Sequence, residues 1–177
     1  RMSHRPRTFA AGLAGIWAEE NTRDSIFAGM QRREAYATSG PRINLRFFAG
    51  WGFDRAITEQ PGRIEVATAG GVPMGGVLRP EKGQEESPTF FVWALADWMS
   101  APLQRIQVIK GWIDGEGKTH ETVQDVVCAG DLEVDPNTLR CPDNGASVDI
   151  ASCEPRGEVG AKQLMVAWQD PDFDPSQ

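Results

Sequence analysis

Histidine is scarce in this chain: His4 and His120 are the only two among 177 residues. There is no H-x-H, no H-E-x-x-H and no C-x-x-C, so no spacing here builds a transition-metal site unaided. The G-x-S-x-G elbow of many hydrolases is also missing. "GGVPMGG" at 70–76 has neither the lysine nor the helix start that a phosphate-cradling loop needs. Basic residues are in deficit, 18 Lys and Arg against 25 Asp and Glu, and the net charge of −7 excludes the concentrated basic face of a nucleic-acid binder. No apolar run approaches the roughly 18 residues of a membrane span. No internal repeat is visible. The residues contain no complete catalytic set, and no catalytic residue is assigned.

What is present suffices for a packed core: hydrophobic residues make up 40% of the chain, which argues against wholesale disorder. The length fits one domain with an appendage. The chain starts at Arg1 rather than Met, as expected of a segment of a longer protein or of a processed or tagged terminus. Composition changes near Gly40-Pro41, dividing a helical segment, 1–41, from a β-rich part, 42–177. In the first, Asn21 or Thr22 can cap a helix over 22–34, and Asp24 suits the positive end of its dipole. Ile26, Phe27 and Met30 form one apolar stripe, while Arg23, Gln31, Arg32 and Glu34 fill the wet side. One such helix cannot hold itself in water and must lie on something larger.

Beyond Pro41 the period becomes alternating. "RINLRFFA" places Ile43, Leu45 and Phe47 on one face, and "RIEVA" reads as a short strand with Ile64 and Val66 inward. "TFFVWALA", 89–96, is apolar on both faces, the pattern of a central buried strand. "RIQVIKGWI" alternates through Ile106, Val108 and Trp112, and "DGEG" at 114–117 returns the chain into "THETVQDVVC" as a hairpin. "GAKQLMVAWQ" reads as a short helix with Leu164 and Trp168 one turn apart. Short strands separated by long Gly- and Pro-rich loops predict a mainly β, sandwich-like domain preceded by an amphipathic helix.

Three clusters are candidates for chemistry. "DPDFDP" sets Asp170, Asp172 and Asp174 at every second residue, a spacing by which a loop can surround a hard cation. It lacks the glycine and distal glutamate of an EF-hand, and loops of Asp and Pro commonly only turn the chain. Asp114, Glu116, His120 and Glu121 in "DGEGKTHE" offer a second metal set, or simply a solvated hairpin tip. Tyr36 with Arg32 and Arg33 can meet an anionic ligand, or pack at the helix end while the arginines offset its dipole.

The run "GLAGIWAEENTRDSIFAGMQRREAYATSGPRINLRFFAGW" resembles members of the family catalogued as domain of unknown function 3604. The likeness continues in order through "GVPMGG", "LQRIQVIKGWIDGEGKTHETVQDV", "CPDNGASVDI" and "WQDPDFDP", nearly the whole chain. The resemblance implies a bacterial PHP-type metal-dependent hydrolase whose N-terminal portion carries H-x-H and further ligands on a distorted (β/α) barrel. "REAYATSGP" is similar to the end of that barrel, so the helix 22–34 is expected to be one of its last helices, with the C-terminal β-rich part following. On this reading the chain is a C-terminal part, non-catalytic alone. Its partner is the missing barrel portion of the same protein, and divalent metal ions belong to the full-length relative rather than to this chain. Glu19, Glu20, Asn21 and Arg23, at the helix start, are the residues that can line the pocket rim. The alternative is an autonomous β-sandwich binding module that engages a ligand or partner through Trp51, Trp93, Trp98 or Trp112.

Cys128, Cys141 and Cys153 are odd in number, so at least one has no partner within the chain. Cys141 and Cys153 bracket a turn-rich loop with few apolar side chains to fix it, and a 141–153 bridge is expected there, the alternative being three free thiols in a cytosolic protein. The resemblance implies a further cysteine past the last residue, which is the expected partner of Cys128. A bridge places the protein in an oxidising compartment, the periplasm or outside the cell.

Overall fold

The computed structural model describes residues 12–80, 86–156 and 159–175. His4, part of the acidic loop 79–88 and the last residues of "DPSQ" fall outside them. The chain opens with β1 (Leu13–Ile16), α1 (Arg23–Arg32) and β2 (Ala35–Thr38), where β1 and β2 pair antiparallel as a sheet of their own. Thr22 caps α1, its hydroxyl accepting from the Ser25 amide, and Arg33 ends it in the left-handed conformation (φ 60°). Gly29 is what lets α1 sit on β1: a Cβ there would stand 2.6 Å from the Trp17 carbonyl oxygen and 3.0 Å from Ile16.

Next come β3 (Asn44–Gly50), a 3-10 turn (Arg55–Thr58), α2 (Arg63–Gly70) and β4 (Val72–Pro73). β5 (Thr89–Leu95), β6 (Arg105–Ile113), β7 (Thr119–Cys128), β8 (Ser147–Val148), β9 (Pro155–Arg156) and β10 (Gln163–Gln169) complete the described chain. The fold is mainly β, in several sheets. The largest has the order β10-β5-β3-β4, antiparallel throughout.

β5 is central, as its two-faced apolar sequence requires. Val92 and Ala94 point to one side, where Leu45 and Phe47 of β3 and Leu164 of β10 join them beneath Ile106, Val126 and Val127 of the β6–β7 hairpin. Ile43, just ahead of β3, packs there too, so the expected alternation of 43, 45 and 47 holds. Phe91 points to the other side and stacks on Phe48, with Phe53, Ile57, Ile64 and Ala67 covering both. One sheet thus has a hairpin on one face and helical segments on the other. In the hairpin the register skips Val126 between Ile106 and Gln107, a β-bulge. It lets Val126 and Val127 both pack on the core, which strict alternation forbids.

Two local expectations are corrected. "RIEVA" is the start of α2, not a strand: Ile64 and Ala67, three apart, face the core, and Val66 is exposed. Five residues are too few to separate the two periods. "GAKQLMVAWQ" contains β10, not a helix. Leu164 and Trp168 are four apart, which satisfies a helical turn and also a strand's even spacing, and here Trp168 lies 5.6 Å from Phe90 across the pair.

The cysteine pairing is corrected too. The bridge joins Cys128 to Cys141, and Cys153 is free and exposed. The loop after β7 folds back on it: the Asp125 amide donates to the Leu139 carbonyl, and the Cys141 amide donates to the Asp125 carboxylate at 2.6 Å. These bonds set Cys141 beside the end of β7. A ring spanning 13 residues is worth about 3 kcal/mol on the loop-entropy estimate, nearly the same as for the rejected pairing. Entropy therefore could not choose between them, and the backbone path did. Thiol counting under denaturing, non-reducing conditions should find one reactive thiol, with residues 128 and 141 joined after digestion. Cys128→Ala/Cys141→Ala should lower unfolding stability by about 3 kcal/mol; three reactive thiols in protein taken from its native compartment would contradict the bridge.

Candidate functional site

At the start of α1 the predicted rim residues divide. Glu20 and Asn21 border a shallow hollow of about 460 Å³ with Ala14, Ile16, Trp17 and Ile26, while Glu19 and Arg23 do not line it. All four are exposed. The Ser25 hydroxyl accepts from the Glu20 amide at 3.1 Å, which ties the segment to the helix start.

The other candidates do not gather into ligand sets. Asp170 is buried and paired with Lys110 at 2.5 Å, and its carboxylate also accepts from the Asp172 amide. That geometry closes a turn: the ammonium occupies the place a cation would take, and the Asp172 carbonyl accepts from the same lysine. At the hairpin tip Asp114 holds the turn by accepting from the Glu116 and Lys118 amides, and its other oxygen lies 2.6 Å from His120 Nε2. The bond to His120 is the main reason the Asp114 carboxyl is held below its ordinary pKa. His120 stacks on Trp112, and the Glu116 and Glu121 residues are exposed. Among the described residues no three His, Cys, Asp or Glu side chains are placed to hold a metal ion. Arg32 is paired with Glu34, and the Tyr36 hydroxyl donates to Asn44, so Tyr36 packs at the junction as the plainer account expects.

A second hollow escaped the sequence reading. Trp17 follows β1 and its indole donates to the Leu45 carbonyl at 2.9 Å, joining the N-terminal unit to β3. The Arg46 guanidinium lies 3.5 Å above the Trp17 ring. Together with Ile64, Trp93 and Leu95 they enclose about 190 Å³. The only hint in sequence was Arg46 standing among the apolar residues Leu45, Phe47 and Phe48. Of the other tryptophans, Trp51 donates to the Arg79 carbonyl, and Trp98 is 89% exposed rather than core.

The family signature described as "Protein of unknown function (DUF3604)" matches residues 2–177. The chain belongs to this family. No curated protein and no solved structure matches it. The DUF3604 chain carries Glu20 and Asn21 beside a hollow at the head of α1, a closed Lys–Asp turn, and a tryptophan-and-arginine hollow between β1, β3 and α2.

Proposed function

We propose that the chain is the C-terminal portion of a PHP-type metal-dependent hydrolase, of the phosphoesterase or amidohydrolase class, and that it supplies structure and pocket rim rather than catalysis. The observation that carries this reading is the surface of the β1–α1–β2 unit. Phe27 and Met30 of the α1 stripe are 59% and 55% exposed, Leu13 of β1 is 46% exposed, and among the described residues the sheet beside them has two strands. A helix this short gains its stability by burying such a stripe, and the remainder of a barrel is the body that would cover it. Glu20 and Asn21 then stand at the edge of that body.

When bound, divalent ions in such an enzyme lower the pKa of a bound water and hold the scissile group. The residues described here do not fit that role, so no step is assigned to them. The disulfide is compatible with a periplasmic or extracellular site of action, and among the described residues no helix is long and apolar enough to cross a membrane.

The test is made on the longer reading frame. The full-length protein should retain stoichiometric metal through dialysis and hydrolyse model phosphodiesters or amides, and the 177-residue chain should do neither. Glu20→Ala in the full-length protein should move KM more than metal content. An upstream region without clustered histidines would overturn the reading. So would zinc, manganese or iron retained by the short chain and lost on His120→Ala.

A further inference from the structure

The hollow beneath Arg46 has an unusual balance. Its apolar walls are Trp17, Ile64, Trp93 and Leu95, with the backbone of Leu45 between them, and its one charged lining group is the Arg46 guanidinium. Among the described residues Arg46 has no carboxylate within ion-pair distance and donates no hydrogen bond. Stacking on Trp17 occupies the flat face of the guanidinium but leaves its N–H edge for an acceptor in the plane. Burial lowers the Arg46 pKa from its ordinary value, and Glu34 and Tyr36 offset that only through space. A guanidinium partly stripped of water and with no carboxylate in contact gains when an anion arrives. At the rim Asn44 has its amide oxygen engaged by the Tyr36 hydroxyl, which leaves its NH₂ as a second donor.

We propose that this hollow binds a small monocarboxylate with an aromatic or short aliphatic body. The carboxylate sits on the edge of Arg46, and the body lies against Ile64, Leu95 and Trp93. One cation among apolar walls suits a singly charged head with an apolar tail; a phosphate dianion would bring more charge than the site offsets. The size agrees, since a cavity of about 150 Å³ is enough for benzene, and this one is about 190 Å³. All of its lining residues belong to this chain.

The test is a titration of the 177-residue chain with benzoate and 3-phenylpropionate, followed by tryptophan fluorescence and by amide chemical shifts. Saturable binding with a Kd of about 0.1–1 mM is expected for fragments of this size. The matching neutral amides and inorganic phosphate should bind about 10- to 100-fold more weakly, the loss of a charge-assisted hydrogen bond. Arg46→Met should lose a similar factor, Arg46→Lys should fall between, and Arg156→Met, in the β8–β9 hairpin, should bind as the parent chain does. The acid-against-amide comparison needs no variant, so it stands even if Arg46→Met fails to fold. Equal binding of acid and amide, a preference for phosphate, no saturable binding, or unchanged affinity in a folded Arg46→Met each overturns the proposal.

Discussion

Asp125→Ala is expected to lower unfolding stability by at least about 3 kcal/mol, the lower part of the range for breaking a buried ion pair. The Asp125 side chain is wholly buried, and four groups converge on it. Arg105 donates at 2.9 Å, Gln107 at 2.6 Å, the Cys141 amide at 2.6 Å, and Arg140 stands at 3.5 Å. This one carboxylate ties β6, β7 and the disulfide-closed loop together beside the bulge. Arg105 and Arg140 keep some exposure and can turn to water, which limits the loss. The Cys141 amide sits on a buried residue and has no such escape. Urea unfolding of wild type and variant measures the difference, and a loss under about 1 kcal/mol would show that the hub is not stabilising.

The same carboxylate predicts a pH dependence. Burial alone would raise the Asp125 pKa, but the Cys141 amide, Gln107 and Arg105 overbalance it, and the net shift is downward. A depressed folded pKa means that the unfolded chain takes up the proton first. The contribution is therefore complete above the unfolded value of about 3.9 and is lost as pH falls below it toward the folded pKa. Asp125→Asn should flatten that acid limb of the stability curve. An unchanged slope below about pH 4 would contradict the assignment.

Phe91→Ala should cost about 3–5 kcal/mol, the usual range for emptying a buried phenylalanine site. Phe91 is fully buried at the middle of the central strand, and Phe48, stacked on it at 6.2 Å, is 1% exposed. The sheet on one side and the α2 layer on the other give the surrounding side chains little room to collapse into the gap. Phe91→Leu, which keeps most of the volume, should cost less than about 1.5 kcal/mol. Against a typical total of about 5–15 kcal/mol, the alanine variant should unfold at a much lower denaturant midpoint. Equal losses for Leu and Ala would mean that ring stacking, not volume, holds the site.

The sequence by itself determined the elements whose signal was long or redundant. β5 was legible because seven residues, apolar on both faces, leave a strand no place but the middle of a sheet. The β6–β7 hairpin was legible because alternation on both sides met a turn in which Gly117 takes φ 81°. α1 announced itself through Thr22 and its apolar stripe. Short windows were ambiguous: residues two apart or four apart fit a strand, and residues four apart also fit a helix, so α2 and β10 were interchanged. Tertiary structure alone decided the rest, because it depends on which distant segments touch. Cys141 pairs with Cys128 rather than Cys153 because a buried aspartate draws the loop back onto its strand. Asp170 meets Lys110 and Arg46 meets Trp17 because separate strands bring them together, at sequence separations that no local periodicity encodes.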